Sequence, residues 1–306
     1  MNIAKKVAKE SSITFTGLLY GNLNRYLYTA LLARWVGPEF LGIYSIANSI
    51  MLISEVFAKM GLETGIMRFV SRLNPKVDKE KINLLISSAF KMTAIFSLAI
   101  MIVLIISSGT IIDNYFSAQP ILKSVLIIFA IAIPFNSLTI ISAFATQGFK
   151  RLKYKTIVTQ FLNPTVLLLT MTLCYWFMSK THTIMIPILA TGIIGFIVMV
   201  MVLKKVSGLK NSQIINSQIN YELLKFSYPL MFVTILQTLM HWMDILMLGY
   251  FTDPITVGLY HPAARTAGLL QALLLSFLSI YAPLVSQFHS QGDKDKLANT
   301  YQLVSR

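Results

Sequence analysis

The chain has 306 residues, of which 55% are hydrophobic and only 12% are charged, and its mean hydropathy is +0.67. Soluble globular domains carry about 25% charged residues, so this composition excludes soluble enzymes, disordered chains and disulfide-stapled secreted domains. The formal charge of +14 would suggest nucleic acid in a soluble protein, but in a membrane protein its distribution along the chain matters more. The single cysteine, Cys174, permits no internal disulfide.

Eight segments are long and apolar enough to cross a bilayer, which takes about 20 mostly apolar residues. We therefore predict an all-α, polytopic helical membrane protein with eight transmembrane helices. The spans are at about 12–33, 40–60, 84–107, 121–142, 156–178, 184–203, 226–249 and 257–284. Six prolines fall inside these spans and predict kinked helices, because neighbours or water must satisfy the backbone groups that a proline leaves free.

The positions of lysine and arginine predict the orientation. On one side of the predicted membrane lie 18 of the 26 basic residues, and on the other only Arg34 and Lys180. Positively charged loops stay cytoplasmic, so we expect both ends of this chain to be cytoplasmic in a plasma or inner membrane. The first span is not a cleaved signal peptide, because it is too long, contains Arg25 and lacks a small-residue cleavage site.

An internal repeat follows the first span. After Gly37, the skeleton Pro-x3-Gly-x-Tyr occurs at Pro38, Gly42 and Tyr44, and it recurs 216 residues later in the segment 254–260. A second match, at an offset of 215, relates the polar segments around 70–81 and 285–296. Membrane helices resemble one another by composition, but polar loops have no such reason to match.

The repeat predicts the domain organisation. Six spans separate the two copies, and this even number makes the repeat parallel, as in two-lobed transporters with a site between the lobes. We expect a six-helix lobe at 1–203, a cytoplasmic linker at 204–222, and at 223–306 the first two helices of a pseudo-symmetric second lobe with a cytoplasmic tail. Since one lobe occupies about 216 residues, we interpret the chain as a truncated product or fragment.

Two motifs resemble a known family. Residues 33–44 read Ala-Arg-Trp-Val-Gly-Pro-Glu-Phe-Leu-Gly-Ile-Tyr, and residues 59–70 read Lys-Met-Gly-Leu-Glu-Thr-Gly-Ile-Met-Arg-Phe-Val. They resemble the opening of polysaccharide-type oligosaccharide flippases, whose superfamily includes multidrug and toxin extruders and lipid II flippases. The resemblance implies two six-helix lobes that open alternately to each side. It also implies a polyprenyl-pyrophosphate-linked oligosaccharide as substrate, moved from the inner to the outer leaflet.

Arg25 is the first candidate for the site, because an ionisable residue inside a span costs about 2.5–3.5 kcal/mol on insertion scales. Asn22 and Thr29 share its helical face, and Gly17 and Gly21 extend that stripe as a pair of small residues where helices approach closely. We favour a substrate cavity in which the guanidinium of Arg25 faces an anionic head group. The alternative is a structural arginine bonded to backbone carbonyls of a broken helix.

The second copy adds further candidates for the cavity. At the offset of 216, Arg25 corresponds to His241, and Arg265 lies at about the same depth. The family resemblance implies the same kind of cavity, because lipid II flippases line theirs with arginines. Asp244 lies three residues from His241, and the pair is a candidate for coupling to a proton or a sodium ion. A salt bridge between Asp244 and Arg265 is an equally weighted alternative.

Glu55 is the other candidate for ion coupling. Lys59 lies one turn further along the same span, and we favour a plain ion pair in which Lys59 reaches towards the interface. The basic loops that contain Arg68, Arg72 and residues 150–155 present a similar choice. They either hold anionic lipid head groups or only set the topology, and we favour topology.

The function we predict is transport of lipid-linked oligosaccharide by alternating access for surface polysaccharide, such as the O-antigen of lipopolysaccharide. The alternatives are a drug or cation antiporter of the same superfamily, whose site is expected to be acidic rather than basic, and a lipid II-type flippase. A membrane glycosyltransferase or ligase is disfavoured, because the short outer loops carry few acids and no phosphate-loop, zinc or nucleophile motif appears. Expected partners are membrane lipids and other polysaccharide assembly proteins, without nucleic acid, metal or soluble cofactor.

Overall fold

The computed structural model describes residues 3–75, 77–116, 119–208 and 218–268, with side chains from residue 12 onward. These residues form nine helices joined by short connections, with no strand among them. The helices are α1 (Ile3–Trp35), α2 (Pro38–Lys59), α3 (Leu62–Arg72), α4 (Lys79–Tyr115), α5 (Pro120–Gly148), α6 (Leu152–Phe177), α7 (Lys180–Ser207), α8 (Tyr221–Phe251) and α9, which is described over 254–268.

Within this described part, six helices are long and apolar enough to cross a membrane, namely α2 and α4 to α8. The all-α prediction is confirmed, and the chain is a polytopic helical membrane protein. The predicted first span lies within α1, which has sufficient length but carries Asn22, Asn24 and Arg25 and is not among the six. The predicted last span, 257–284, lies mostly outside the described residues.

The predicted basic loop that contains Arg68 and Arg72 begins with a helix that the sequence analysis did not predict. Leu62, Ile66 and Val70 recur every four residues in α3 and are buried, whereas Arg68 and Arg72 are exposed on the opposite side. This spacing puts the apolar side chains on one helical face. The loop that we expected only to set topology therefore contains an amphipathic helix.

The core lies where α2 and α5 meet their neighbours. Leu32 of α1, Ile43 of α2, and Phe129 and Ile133 of α5 are fully buried in one cluster. Much of α4, in contrast, presents apolar side chains outward, as Ile106 does with 78% of its surface exposed. Such a pattern suits a helix bundle whose outside faces hydrocarbon.

The chain divides into two compact units, Met1–His261 and Pro262–Arg306. Of the second unit, the structure describes 262–268, which are helical, with the Thr266 hydroxyl donating to the Pro262 carbonyl at 2.8 Å. The packing described below belongs to the first unit.

The two copies of the Pro-x3-Gly motif pack against each other. A Cβ atom added to Gly42 would lie 2.6 Å from the carbonyl carbon of Pro254 and would overlap its oxygen. A Cβ atom added to Gly258 would lie 2.6 Å from the carbonyl carbon of Pro38 and would overlap that oxygen. The contact is therefore reciprocal, as at an interface with twofold symmetry.

Ser45 and His261 lie close to the centre of this arrangement. The Ser45 hydroxyl and His261 Nδ1 are 2.6 Å apart, and the two residues are 216 positions apart in the sequence. Equivalent residues of two copies touch each other only near the axis that relates the copies. The described helices α2 and α9 thus flank a local pseudo-twofold axis, and both begin with the same turn.

The backbone hydrogen bond of this turn is equivalent in the two copies, but the residue that begins the turn differs. Leu41 donates to the Gly37 carbonyl at 3.1 Å, and Val257 donates to the equivalent Asp253 carbonyl at 3.3 Å. Gly37 has a positive φ of 100°, which suits glycine. Asp253 instead caps α9 with its carboxylate, which accepts from the Thr256 backbone N–H at 2.7 Å, and this hydrogen bond lowers the pKa of Asp253.

We predict that Gly42→Ala destabilises the protein by about 1–3 kcal/mol, because a methyl group on Gly42 meets the backbone of Pro254 rather than a side chain that can move. Thermal unfolding of the purified protein in detergent measures this. Gly109→Ala in α4 is the control, because the added methyl there meets only the flexible end of Lys123. A Gly42→Ala protein as stable as the control would contradict the reciprocal contact.

Candidate functional site

The side chain of Arg25 in α1 contacts the middle of α6, where the helix departs from α-helical geometry. Its Nη1 donates to Asn22 Oδ1 at 3.4 Å and to Gln160 Oε1 at 3.1 Å. Its Nη2 donates to Gln160 Oε1 and to the Thr159 carbonyl, each at 3.1 Å. Thr29, which is buried, donates to the carbonyl of Arg25 at 3.1 Å. The side chain of Arg25 is exposed, and it holds α6 through uncharged oxygens.

The reason for this contact lies in Pro164. Residues Ile157–Leu162 of α6 form a π-helical segment, in which the Asn163 N–H donates to the Val158 carbonyl five residues back. In the same register the next donor would be Pro164 to Thr159, but proline has no N–H. The guanidinium of Arg25 supplies a donor to the carbonyl that Pro164 leaves free. Arg25 thus makes the carbonyl contact that we set as the structural alternative, and a substrate role for it remains a prediction.

Gly17 and Gly21 allow α1 to approach this segment. A Cβ atom on Gly17 would lie 3.0 Å from the ring of Phe161, and one on Gly21 would lie 3.0 Å from the Gln160 carbonyl oxygen. Near by, the hydroxyls of Tyr20 and Thr165 are 2.8 Å apart. The stripe of small residues therefore faces the π-helical segment that Arg25 holds.

Glu55 is buried in α2 and has two partners. Asn136 of α5 donates to its Oε1 at 2.8 Å, and Lys59 lies 4.0 Å from its Oε2. The ion pair that we favoured is present. The amide of Asn136 was not anticipated, and it places Glu55 between α2 and α5.

In the second copy, Asp244 forms a hydrogen bond with Tyr260. The Tyr260 hydroxyl donates to Asp244 Oδ2 at 2.8 Å. At the offset of 216 this pair corresponds to Tyr28 and Tyr44, whose ring centroids are 5.5 Å apart. In each copy the motif tyrosine therefore contacts the residue 16 positions before it, and Asp244 occupies the place of Tyr28.

The remaining predicted residues lie in different surroundings. His241 is exposed and makes an edge contact with the ring of Trp242, with centroids 5.2 Å apart. Trp242 in turn lies 6.3 Å from the ring of His261. Arg265 belongs to the second compact unit. Trp242 of α8 thus contacts its neighbour His241 and lies near His261 of α9. A ring of cations around a substrate remains a prediction.

A family profile described as "Polysaccharide biosynthesis protein" matches residues 7–289. The chain belongs to this family. The resemblance inferred from residues 33–44 and 59–70 is therefore confirmed at the family level. No curated protein sequence matches the chain significantly.

The fold of this chain is similar to that of a solved structure. The structure described as "MATE multidrug transporter DinF-BH" matches with a TM-score of 0.62 and 17% identity. The match covers 86% of this chain and 60% of that transporter, so the chain spans about three-fifths of its length. At this identity the likeness shows a common fold.

Several residues around these contacts were not predicted. Gln160 and Asn136 are polar residues inside predicted spans, so they are candidate site residues for the same reason as Glu55. Ser45 and His261 carried a stronger signal, because their separation equals the repeat offset. Applying that offset to each polar residue of the predicted second span would have selected them.

We predict that Arg25→Ala and Pro164→Ala are coupled. Arg25→Ala alone should cost about 1–3 kcal/mol, because it leaves the Thr159 carbonyl without a donor. In a Pro164→Ala background the cost should fall by about 1 kcal/mol or more, since residue 164 regains an N–H. Unfolding of the four proteins in detergent measures this coupling.

Arg34→Ala is the matched control, because Arg34 lies in the last turn of the same helix. Its effect should add to that of Pro164→Ala within about 0.5 kcal/mol. If the effects of Arg25→Ala and Pro164→Ala add within the same limit, Arg25 is not the donor that replaces the missing N–H of Pro164.

Proposed function

We propose that this protein is a transporter that moves a polyprenyl-pyrophosphate-linked oligosaccharide from the inner to the outer leaflet of the cell membrane for surface polysaccharide biosynthesis. Family membership supports a role in polysaccharide biosynthesis, and the shared fold with a multidrug transporter supports transport rather than catalysis. The observation that carries the proposal is the reciprocal packing of the two motif copies, which is expected for two lobes that move against each other.

The proposed lobes meet where α2 and α9 begin. The first lobe comprises 1–203, the linker 204–222 is cytoplasmic, and the second lobe starts at 223. In the orientation that we propose, Gly42 and Gly258 lie near the outer face. Their contact consists of glycines against carbonyls together with one Ser–His hydrogen bond, so it separates without breaking an ion pair. Such a contact suits the closed outer side of an alternating-access cycle.

Arg25 supports an anionic substrate. Gln160 Oε1 and the Thr159 carbonyl oxygen, which are both uncharged, accept hydrogen bonds from its guanidinium. A guanidinium bound in this way is oriented before a ligand arrives, which reduces the entropy lost on binding. A pyrophosphate group is the kind of ligand that a planar guanidinium binds well.

A drug antiporter is the second candidate. The likeness to a multidrug transporter favours it, and so does Asp244, a half-buried carboxylate hydrogen-bonded to Tyr260. The two candidates differ in what accumulates when the protein is lost. A flippase defect leaves lipid-linked oligosaccharide on the inner leaflet, whereas an antiporter defect raises the intracellular level of a drug.

We predict that an oxidative crosslink in Ser45→Cys/His261→Cys stops transport and that reduction restores it, because the crosslink holds α2 and α9 together near the axis. Appearance of surface polysaccharide after oxidation and after reduction measures this. The pair Asn163→Cys/Gly195→Cys joins α6 to α7 within one lobe and should crosslink without stopping transport. Normal transport by fully crosslinked Ser45→Cys/His261→Cys protein would refute separation of the lobes at this contact.

A second prediction separates the charge of Arg25 from its structural contact. The variant Arg25→Ala/Pro164→Ala should insert and be stable, because the freed carbonyl regains a backbone donor. It should still lose at least about tenfold in translocation, since a charged hydrogen bond to the substrate contributes about 1.5–3 kcal/mol. Pro164→Ala alone is the control, and unimpaired polysaccharide in the double variant would overturn the substrate role.

A further inference from the structure

A cavity of about 720 Å³ lies where α3, the start of α4 and the start of α8 meet. Every element that lines it belongs to the first compact unit. In the proposed orientation it opens at the cytoplasmic edge of the membrane, away from the contact of α2 with α9. Its volume is within the range of ligand-binding cavities, about 300–1,000 Å³.

The lining combines charge with apolar surface. Arg72 of α3 and Lys81 of α4 supply two cations, and Glu222 of α8 supplies one carboxylate. Leu84 and Ile219 add apolar surface that is 57% and 39% exposed. Excess positive charge next to exposed apolar side chains is typical of a surface that contacts lipid head groups and the upper acyl chains together.

Specific contacts hold the walls of this cavity in place. The Asn220 N–H donates to the Ser88 hydroxyl of α4 at 2.7 Å, and Asn220 Oδ1 caps α8 by accepting from Leu223 at 2.8 Å. On the other wall, Phe226 of α8 packs against α3, with the Arg68 guanidinium 4.3 Å from its ring centroid. The cations and the apolar side chains therefore lie on α3, on α4 and in the residues just before α8, and these contacts hold the three parts together.

We propose that this cavity binds the phosphate group of an anionic phospholipid of the cytoplasmic leaflet, with Arg72 and Lys81 on the phosphate and Leu84 and Ile219 along the acyl chains. Glu222 limits the net charge of the site, so a singly charged head group fits better than a polyphosphate. The lipid joins α3 of the first lobe to α8 of the second. This site does not depend on the transported substrate, and it rests on the proposed orientation alone.

Native mass spectrometry of the purified full chain with phosphatidylglycerol tests the proposal. Arg72→Gln/Lys81→Gln should weaken phosphatidylglycerol binding about fivefold for each charge removed. Glu222→Gln should strengthen it about threefold or more, and a variant that merely damaged the fold would not bind more tightly. The control is Arg151→Gln/Lys153→Gln, which removes two exposed cations from another predicted inner loop and should change binding less than twofold.

Three results would overturn the proposal. Equal losses in the cavity variant and the control would show non-specific attraction to the basic face, and unchanged binding in the cavity variant would exclude Arg72 and Lys81. Displacement of the lipid by millimolar inorganic phosphate would show a site for a soluble anion instead. Retention of phosphatidylglycerol in the presence of phosphate, together with opposite shifts for the Arg72/Lys81 and Glu222 variants, supports it.

Discussion

Two short backbone segments, Pro38–Gly42 and Pro254–Gly258, approach each other so closely that neither glycine has room for a Cβ atom. Several other positions depend on this approach. It brings α9 onto α2, which places His261 beside Ser45 and Trp242 within 6.3 Å of the His261 ring. Each glycine contacts the proline carbonyl of the other copy. Substitution of one glycine therefore disturbs one of the two equivalent contacts. The repeated motif therefore packs the two copies against each other, in addition to indicating a duplication.

The two copies keep the same geometry while their chemistry differs. The motif tyrosine contacts the residue 16 positions before it in both, but the partner is Tyr28 in one copy and Asp244 in the other. The turn before the motif is made by Gly37 in one copy and by the carboxylate of Asp253 in the other. A twofold frame with unlike side chains presents different chemical groups on its two sides. An exact repeat would present the same groups on both.

Hydropathy and the repeat offset were sufficient to predict the helical class, most of the spans and the meeting of equivalent motifs, because these depend on short-range composition and on symmetry. The partners of buried polar groups were not predictable in this way. Asn136 reaches Glu55 across 81 residues, and Gln160 reaches Arg25 across 135, so each pair depends on how distant helices pack. The helix α3 was missed for another reason. Its basic residues are typical of a loop that sets topology, and only the four-residue spacing of Leu62, Ile66 and Val70 indicates a helix.

Arg25 shows how a charged side chain inside a predicted span can replace a missing backbone donor. Pro164 removes a donor from α6, and a guanidinium on α1 replaces it at the Thr159 carbonyl. An asparagine or glutamine side chain is also a donor there, without the cost of a charge in the membrane. The positive charge is therefore more than the carbonyl contact requires. That excess is the physical reason to seek an anionic ligand near Arg25, and it makes the double variant with Pro164→Ala more informative than Arg25→Ala alone.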